Sequence, residues 1–168
     1  SDLIIPLSHT LADKFGKVRM LTNGVRFADN SFTKELLAGR TILPAVGLNH
    51  WTYQGMKVHE KQLRGIENIK EHGRLDGIGY TLESLDQLPE VLEELDKIGR
   101  DNVNLVRIRM GAEIGRSTGG RNYLSTTVKA LKKLLGDELI HTPLEENLYH
   151  NMYNWKGMNI RVIQWPDV

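Results

Sequence analysis

The chain contains no cysteine. Its own side chains therefore cannot form disulfides, thiolate zinc sites, cysteine nucleophiles or thiolate-held iron–sulfur clusters. A disulfide-stapled secreted scaffold is excluded for the same reason. Neither sign of charge prevails: 22 Lys and Arg face 21 Asp and Glu, for a formal net charge of +1. The whole chain thus lacks the electrostatic footprint that nucleic acid or an anionic membrane selects, and neither is expected as a partner. Apolar runs fall short of the roughly 20 residues that a membrane span needs. The opening Ser-Asp-Leu-Ile-Ile-Pro lacks the basic and long apolar regions of a signal peptide, which predicts a cytoplasmic protein. His59, His72, His141 and His150 fall into no H-x3-H or H-E-x-x-H spacing, so metal binding by histidine is not predicted. Ser8 and Ser125 lack a nucleophile-elbow setting.

What is present is an ordinary globular composition. Hydrophobic residues make up 40% of the 168 and charged residues 26%, enough to bury a core over one α/β domain spanning residues 1–168. Lys17–Leu21 reads as a short strand closed by the turn signal Thr22-Asn23-Gly24. Ser31 is the expected cap of a helix to about Leu37, stopped by Gly39. Thr41–Asn49 is a mostly apolar run and reads as a buried strand despite Pro44. Leu63, Ile66 and Ile69 recur at helical spacing within Val58–His72, and Gly73 follows as a stop.

Leu75–Leu82 is strand-like, with Ile78 and Tyr80 on one side. Pro89 suits a first helical turn, and Val91, Leu92, Leu95 and Ile98 make an apolar stripe. Val103–Met110 alternates, with Arg107 and Arg109 on one face and Val106, Ile108 and Met110 on the other. Tyr123–Leu135 is an amphipathic helix, Glu138–His141 a short strand, Glu145–Trp155 a helix and Asn159–Trp165 a final strand. Such alternation predicts an α/β fold of parallel strand–helix repeats. Ligands in these sheets bind at the carboxyl ends of the strands. Those ends are Thr22-Asn23-Gly24, Asn49-His50, Thr81, 111–116 and Trp165, and most of them are polar.

Several segments resemble the radical SAM superfamily in their order. Val18-Arg19-Met20-Leu21-Thr22-Asn23-Gly24 is similar to the third barrel strand of those enzymes, which commonly closes with Thr-Asn-Gly. Val46-Gly47-Leu48-Asn49-His50 is similar to their fourth strand, and 58–66 to the helix start that follows. Ile78-Gly79-Tyr80-Thr81-Leu82 with Leu88-Pro89-Glu90-Val91 resembles the next strand and its helix. Val106–Met110 with 111–116 resembles a later strand and its turn. The resemblance covers about residues 1–165 and implies a partial (β/α) barrel-like sheet. The family's C-x3-C-x2-C loop and Gly-Gly-Glu-type strand are absent. The chain would then be a fragment of a larger barrel, its N-terminal half a partner. A [4Fe–4S] cluster would belong to the full-length protein and not to this chain.

On that resemblance the cofactor is S-adenosylmethionine, from which the full enzyme makes a 5′-deoxyadenosyl radical. Its contacts would be Thr22, Asn23, Asn49, Arg107, Arg109, Gly111 and Ile114, with a small-molecule substrate beside it. Arg109 is the candidate for the methionyl carboxylate, since arginine forks bind carboxylate bidentately. The residues alone leave an outward arginine pair, bridged to acidic residues on a helix, equally open. Asn49 suits ribose hydroxyls or the amino group of the cofactor, or simply a turn; His50 reads as a half-exposed turn residue ahead of a proton carrier.

The segment 111–121 is rich in glycine, hydroxyls and arginine. Gly115, Arg116, Ser117 and Arg121 make it an anion-binding candidate, although it is no Walker A motif. By itself the segment also reads as a mobile surface loop. A free-standing α/β binding or regulatory module for a small anionic ligand is therefore the second functional reading, and an interaction domain with no small ligand the third. Glu90, Glu93, Glu94 and Asp96 read as a solvated helix face, and the scattered tryptophans and tyrosines as packing. Unpaired outer strands of a partial barrel would favour a homodimer through exposed sheet edges.

Overall fold

In the computed structural model of the chain, strands alternate with helices as far as the fourth strand, after which the described residues hold a helix and three further strands. The structure describes residues 3–99, 103, 105–110, 123–142 and 150–163. The chain is an α/β protein with seven strands among the described residues, folded into two compact units, Ser1–Ile78 and Gly79–Val168. No helix among the described residues is long and apolar enough to cross a membrane.

The first unit begins with α1 (Ile4–Phe15), where no element was predicted. Pro6 lies in its first turn, where a missing N–H costs nothing. The helix escapes the usual hydrophobic signal because it buries Ser8 and Ala12, while Leu3, Leu7 and Phe15 stay exposed. His9 Nε2 lies 3.0 Å from the Leu36 carbonyl. Arg40 donates to the Asp13 carboxylate at 2.9 and 3.1 Å.

Strand β1 (Val18–Thr22) pairs in parallel with β2 (Ile42–Asn49), from Val18↔Ile42 to Thr22↔Val46. Pro44 is tolerated inside β2, and its carbonyl accepts the Asp76 N–H at 2.7 Å. Between the two strands lies a 3-10 turn (Val25–Ala28), then α2 (Asn30–Leu37). Asp29, not Ser31, caps α2: its Oδ1 accepts the N–H groups of Ser31 at 3.0 Å and Phe32 at 3.2 Å. A carboxylate outcompetes a hydroxyl here because it is charged and carries several lone pairs. The Ser31 hydroxyl itself donates to that carboxylate at 2.6 Å.

Short α3 (Trp51–Gln54) and long α4 (Met56–His72) follow β2. The buried face of α4 mixes Ile66 and Ile69 with His59, Gln62, Gly65 and Asn68. Gly65 is required by close packing. A Cβ there would lie 2.3 Å from the Gly24 carbonyl oxygen and 3.1 Å from Phe27 Cβ. Gly24 has φ of 77°, the left-handed region, and a Cβ on it would meet Val46 Cγ1 at 2.7 Å. The turn after β1 is thus clasped between β2 and α4.

Strand β3 (Gly77–Leu82) crosses from the first unit into the second. Ser84 and Gln87 form a capping box, and α5 (Leu88–Ile98) follows with Pro89 in its first turn. Strand β4 (Leu105–Met110) buries Val106, Ile108 and Met110, leaving Leu105, Arg107 and Arg109 half-buried on the other face. Helix α6 (Tyr123–Leu135) packs on α5 and on two of the last three strands, β5 (Leu139–His141) and β7 (Met158–Ile163). The third, β6 (His150–Trp155), lies between them, and the strand order in this unit is β3-β4-β7-β6-β5.

Two expectations fail in this unit. Not all strands are parallel: β4 and β7 are, but β6 runs antiparallel to both β7 and β5. Residues 150–155 are also strand rather than helix. Tyr153 and Trp155, two apart, are buried on one face of the strand and Met152 on the other, and the ladders to β5 and β7 hold the segment extended. The hairpin between β6 and β7 turns on Lys156 (φ 50°) and Gly157 (φ 91°), the doubly left-handed geometry of a type I′ turn. Asn154 Oδ1 accepts the Gly157 N–H at 3.0 Å.

Substituting Gly65→Ala is expected to lower unfolding stability by about 1–3 kcal/mol through overpacking against the Gly24 turn. Gly47→Ala, whose Cβ would meet only the Thr22 carbonyl oxygen at 3.7 Å, is the control, and urea denaturation of both measures the difference. The Asp29 carboxyl is held below its ordinary range by the Ser31 hydroxyl and the backbone N–H groups it accepts. Its contribution is therefore present above about pH 4 and lost as pH falls through the lowered folded value. The stability gap between the native chain and Asp29→Ala should shrink on acidification below that point, read from denaturation midpoints across a pH series.

Candidate functional site

The first unit gathers Thr22, Asn23 and Asn49 at the carboxyl ends of neighbouring parallel strands. Two of the three are engaged in building the turn. Thr22 Oγ1 accepts the Gly24 N–H at 3.1 Å, and Asn23 Oδ1 accepts the Val25 N–H at 3.2 Å. The strand-end carbonyls are held by side-chain amides. Gln62 Nε2 donates to the carbonyl of Asn23 at 2.6 Å and to that of Gly47 at 3.2 Å. Gln54 Nε2 donates to the Asn49 carbonyl at 3.1 Å and to Gln62 Oε1, and lies 3.4 Å from His59 Nδ1. Asn68 Nδ2 and Thr33 Oγ1 both donate to the Phe27 carbonyl, at 2.8 and 2.7 Å.

His50 is buried, not half-exposed: its Nδ1 accepts the Thr52 N–H at 3.4 Å and so caps α3, with the ring against Trp51. Gln62, Gln54 and Asn68 were not singled out from the sequence. Their signal was available: residues 59, 62, 65 and 68 put polar or small side chains at steps of three beside the apolar Ile66 and Ile69. Buried amides in such a row imply backbone partners to satisfy.

The second unit carries the two arginines named from the sequence. Arg107 and Arg109 share one face of β4, as the alternation predicts. Arg109 Nε donates to Thr81 Oγ1 at 2.8 Å, which fixes the guanidinium plane. A Cβ on Gly79 would lie 4.0 Å from Arg107 Cβ, so the Arg107 stem runs beside a position with no side chain. The parallel register of β4 and β7 sets Arg161 directly opposite Arg107. Arg161 Nε donates to Met152 Sδ at 3.2 Å. Arg161 escaped notice because it alternates with Ile160 and Val162 in a strand read for its apolar residues.

Strands β3, β4, β6 and β7 contribute three arginines and no carboxylate. The opposite face of β3 holds buried Tyr80, whose hydroxyl donates to Glu94 of α5. Burial, then the Glu94 carboxylate beside it, pushes the Tyr80 hydroxyl well above its ordinary range, so it stays a proton donor. Glu94 therefore departs from the solvated acidic face expected of α5, whereas Glu93 keeps to it, paired with Lys97 at the surface.

Gly111, Ile114, Gly115, Arg116, Ser117 and Arg121 lie outside the described residues. Among the described residues no three His, Asp or Glu side chains converge as a metal site. No known protein family, curated protein or solved structure matches the chain.

Removing the Tyr80 hydroxyl in Tyr80→Phe leaves the half-buried Glu94 carboxylate without that donor. A loss of about 1–3 kcal/mol is expected, read by urea denaturation at neutral pH.

Proposed function

We propose that the chain is the cofactor- and substrate-binding portion of a radical SAM-type enzyme, the later part of a partial (β/α) barrel. The observation that carries the reading is Arg109, a half-buried guanidinium oriented by Thr81. An arginine so fixed suits the planar, bidentate recognition of a carboxylate, such as that of the methionyl group. Strand–helix alternation and the parallel pairs β1–β2 and β4–β7 support the barrel-like part.

S-adenosylmethionine offers a carboxylate, ribose hydroxyls and an adenine, and Arg109 in the second unit suits the first. Arg109 takes the carboxylate. In the first unit the side chains of Thr22 and Asn23 are used inside their own turn. When bound, and reduced by an iron–sulfur cluster held by other cysteine-bearing residues, S-adenosylmethionine supplies radical chemistry. The residues of this chain bind, orient and shield it. Among the described residues edge strand β1 pairs with β2 alone, and Leu21 is 84% exposed. Such an edge invites the remaining strands of the barrel or a second copy.

Isothermal titration with S-adenosylmethionine should give saturable binding. Arg109→Ala should weaken it roughly tenfold or more, the loss of a charge-assisted fork. Thr81→Val should weaken it less, by freeing the guanidinium plane. Absence of saturable binding, or binding indifferent to Arg109→Ala, would overturn the reading.

A further inference from the structure

We infer that α1 and the free edge of β1 form the self-complementary face of a homodimer of this chain. Among the described residues β1 has a strand neighbour on one side alone, β2. The Val18 N–H donates to the Thr41 carbonyl at 2.9 Å, so the backbone groups of Val18, Met20 and Thr22 serve the β1–β2 ladder. Successive residues of a strand aim these groups to opposite sides, and those of Arg19 and Leu21 therefore point out of the edge. An edge strand is ordinarily guarded by a charge, a proline or a bulge. The charge on β1, Arg19, is drawn to Asp76 at 3.4 Å. The Asp76 N–H donates to the Pro44 carbonyl of β2, so Arg19 leans toward β2 and away from the edge.

The helix beside that edge adds apolar surface. Leu3, Leu7, Leu11 and Phe15 recur every four residues along α1 and its N-cap, and all four are exposed. His9 and Asp13, which tie α1 to the Leu36 carbonyl and to Arg40, stand about half a turn around the helix from Leu7 and Leu11. The stripe therefore faces away from α2, the helix that links β1 to β2, and toward the free edge. With 78% of Leu3, 58% of Leu7, 65% of Phe15 and 84% of Leu21 exposed, on the order of 500 Å² of apolar surface stands open. A standard interface takes about 800 Å² from each partner, a little over half of it apolar, so the face carries what a stable dimer needs.

A second copy also fits the backbone. Let β1 pair with itself, antiparallel, about a two-fold axis normal to the sheet that passes by Met20. All five residues of the strand then have partners. Arg19 of one copy exchanges both N–H···O bonds with Leu21 of the other, so the outward groups meet and like charges do not. The same axis lays the two α1 helices antiparallel on one side of the extended sheet, stripe toward stripe. The inference stands apart from the cofactor reading, since Arg109 belongs to the second unit and this face to the first.

Sedimentation of the native chain over a concentration series should show a monomer–dimer equilibrium with a dissociation constant of about 10 μM or lower. Leu21→Pro removes an N–H that the β1–β2 ladder does not use, and Leu7→Glu puts a charge in the helix stripe. Each should weaken the dimer roughly tenfold or more, with the fold retained by circular dichroism. Leu134→Glu, at an exposed leucine of α6, should leave association unchanged. The chain has no cysteine, so Met20→Cys introduces a single thiol. At the axis the Cα atoms of its two copies would stand about 4.5 Å apart, within disulfide reach. Mild oxidation should therefore link Met20→Cys into a covalent dimer, and leave Leu134→Cys unlinked. Should Leu21→Pro unfold the chain, Leu7→Glu and the cross-link decide. A chain that stays monomeric throughout the series overturns the inference and gives the face to another occupant, such as further barrel strands. So does a dimer indifferent to both Leu21→Pro and Leu7→Glu, or a Met20→Cys variant that links no faster than Leu134→Cys.

Discussion

The contact on which the first unit depends is the approach of α4 to the turn after β1. Gly65 lets the helix backbone come against the Gly24 carbonyl at a separation no Cβ would permit. That closeness brings the Gln62 and Asn68 amides within reach of the carbonyls of Asn23, Gly47 and Phe27. Chain leaving the carboxyl end of a strand must find new partners for its backbone groups, or lose free energy when buried. Here the helix supplies them from its side chains. The polar residues in its buried stripe are not defects in a core but the partners of a loop. Gln54 extends the same chain of amides to the end of β2, tying both strand tips to one helix.

Much of this architecture was legible from periodicity. α5 announces itself by Pro89 at its start and by Val91, Leu92, Leu95 and Ile98 along one stripe, all of which are buried. β4 does so by strict alternation. Where the rule misled, the burial pattern departs from the hydrophobic one. α1 turns Leu3, Leu7 and Phe15 outward and buries Ser8 and Ala12, so its apolar residues mark the wrong face. His150–Trp155 holds too few aliphatic residues to declare either period, and only its neighbours across β7 and β5 decide for a strand. Direction is less legible still. A helix before β5 and a two-residue turn before β7 are compatible with several strand orders, and nonlocal pairing chooses among them.

The chemistry was legible where it coincided with alternation and illegible where it did not. Arg107 and Arg109 stand out because charges two apart in an apolar strand must share a face. Arg161 stands alone in its strand, and only the register with β4 shows that it belongs with them. Thr22 and Asn23 were recognisable as a strand-end signal, but their atoms are spent inside the turn, as short polar side chains commonly are. A sequence reports which residues can bond, whereas the competition between near and distant partners is settled by packing.

That packing also protects the arginine face. On β3, Thr81 serves Arg109 while its neighbours Tyr80 and Leu82 enter the core, and on β4 Arg109 is flanked by buried Ile108 and Met110. Each strand thus carries core and charge on alternate residues. A slip of one position in any pairing would send guanidinium groups inward and Ile108 outward, at the cost of both a desolvated charge and an exposed aliphatic side chain. The spacing of the charges is therefore set by the same register that fills the core. Small displacements of the face are resisted by burial on its far side.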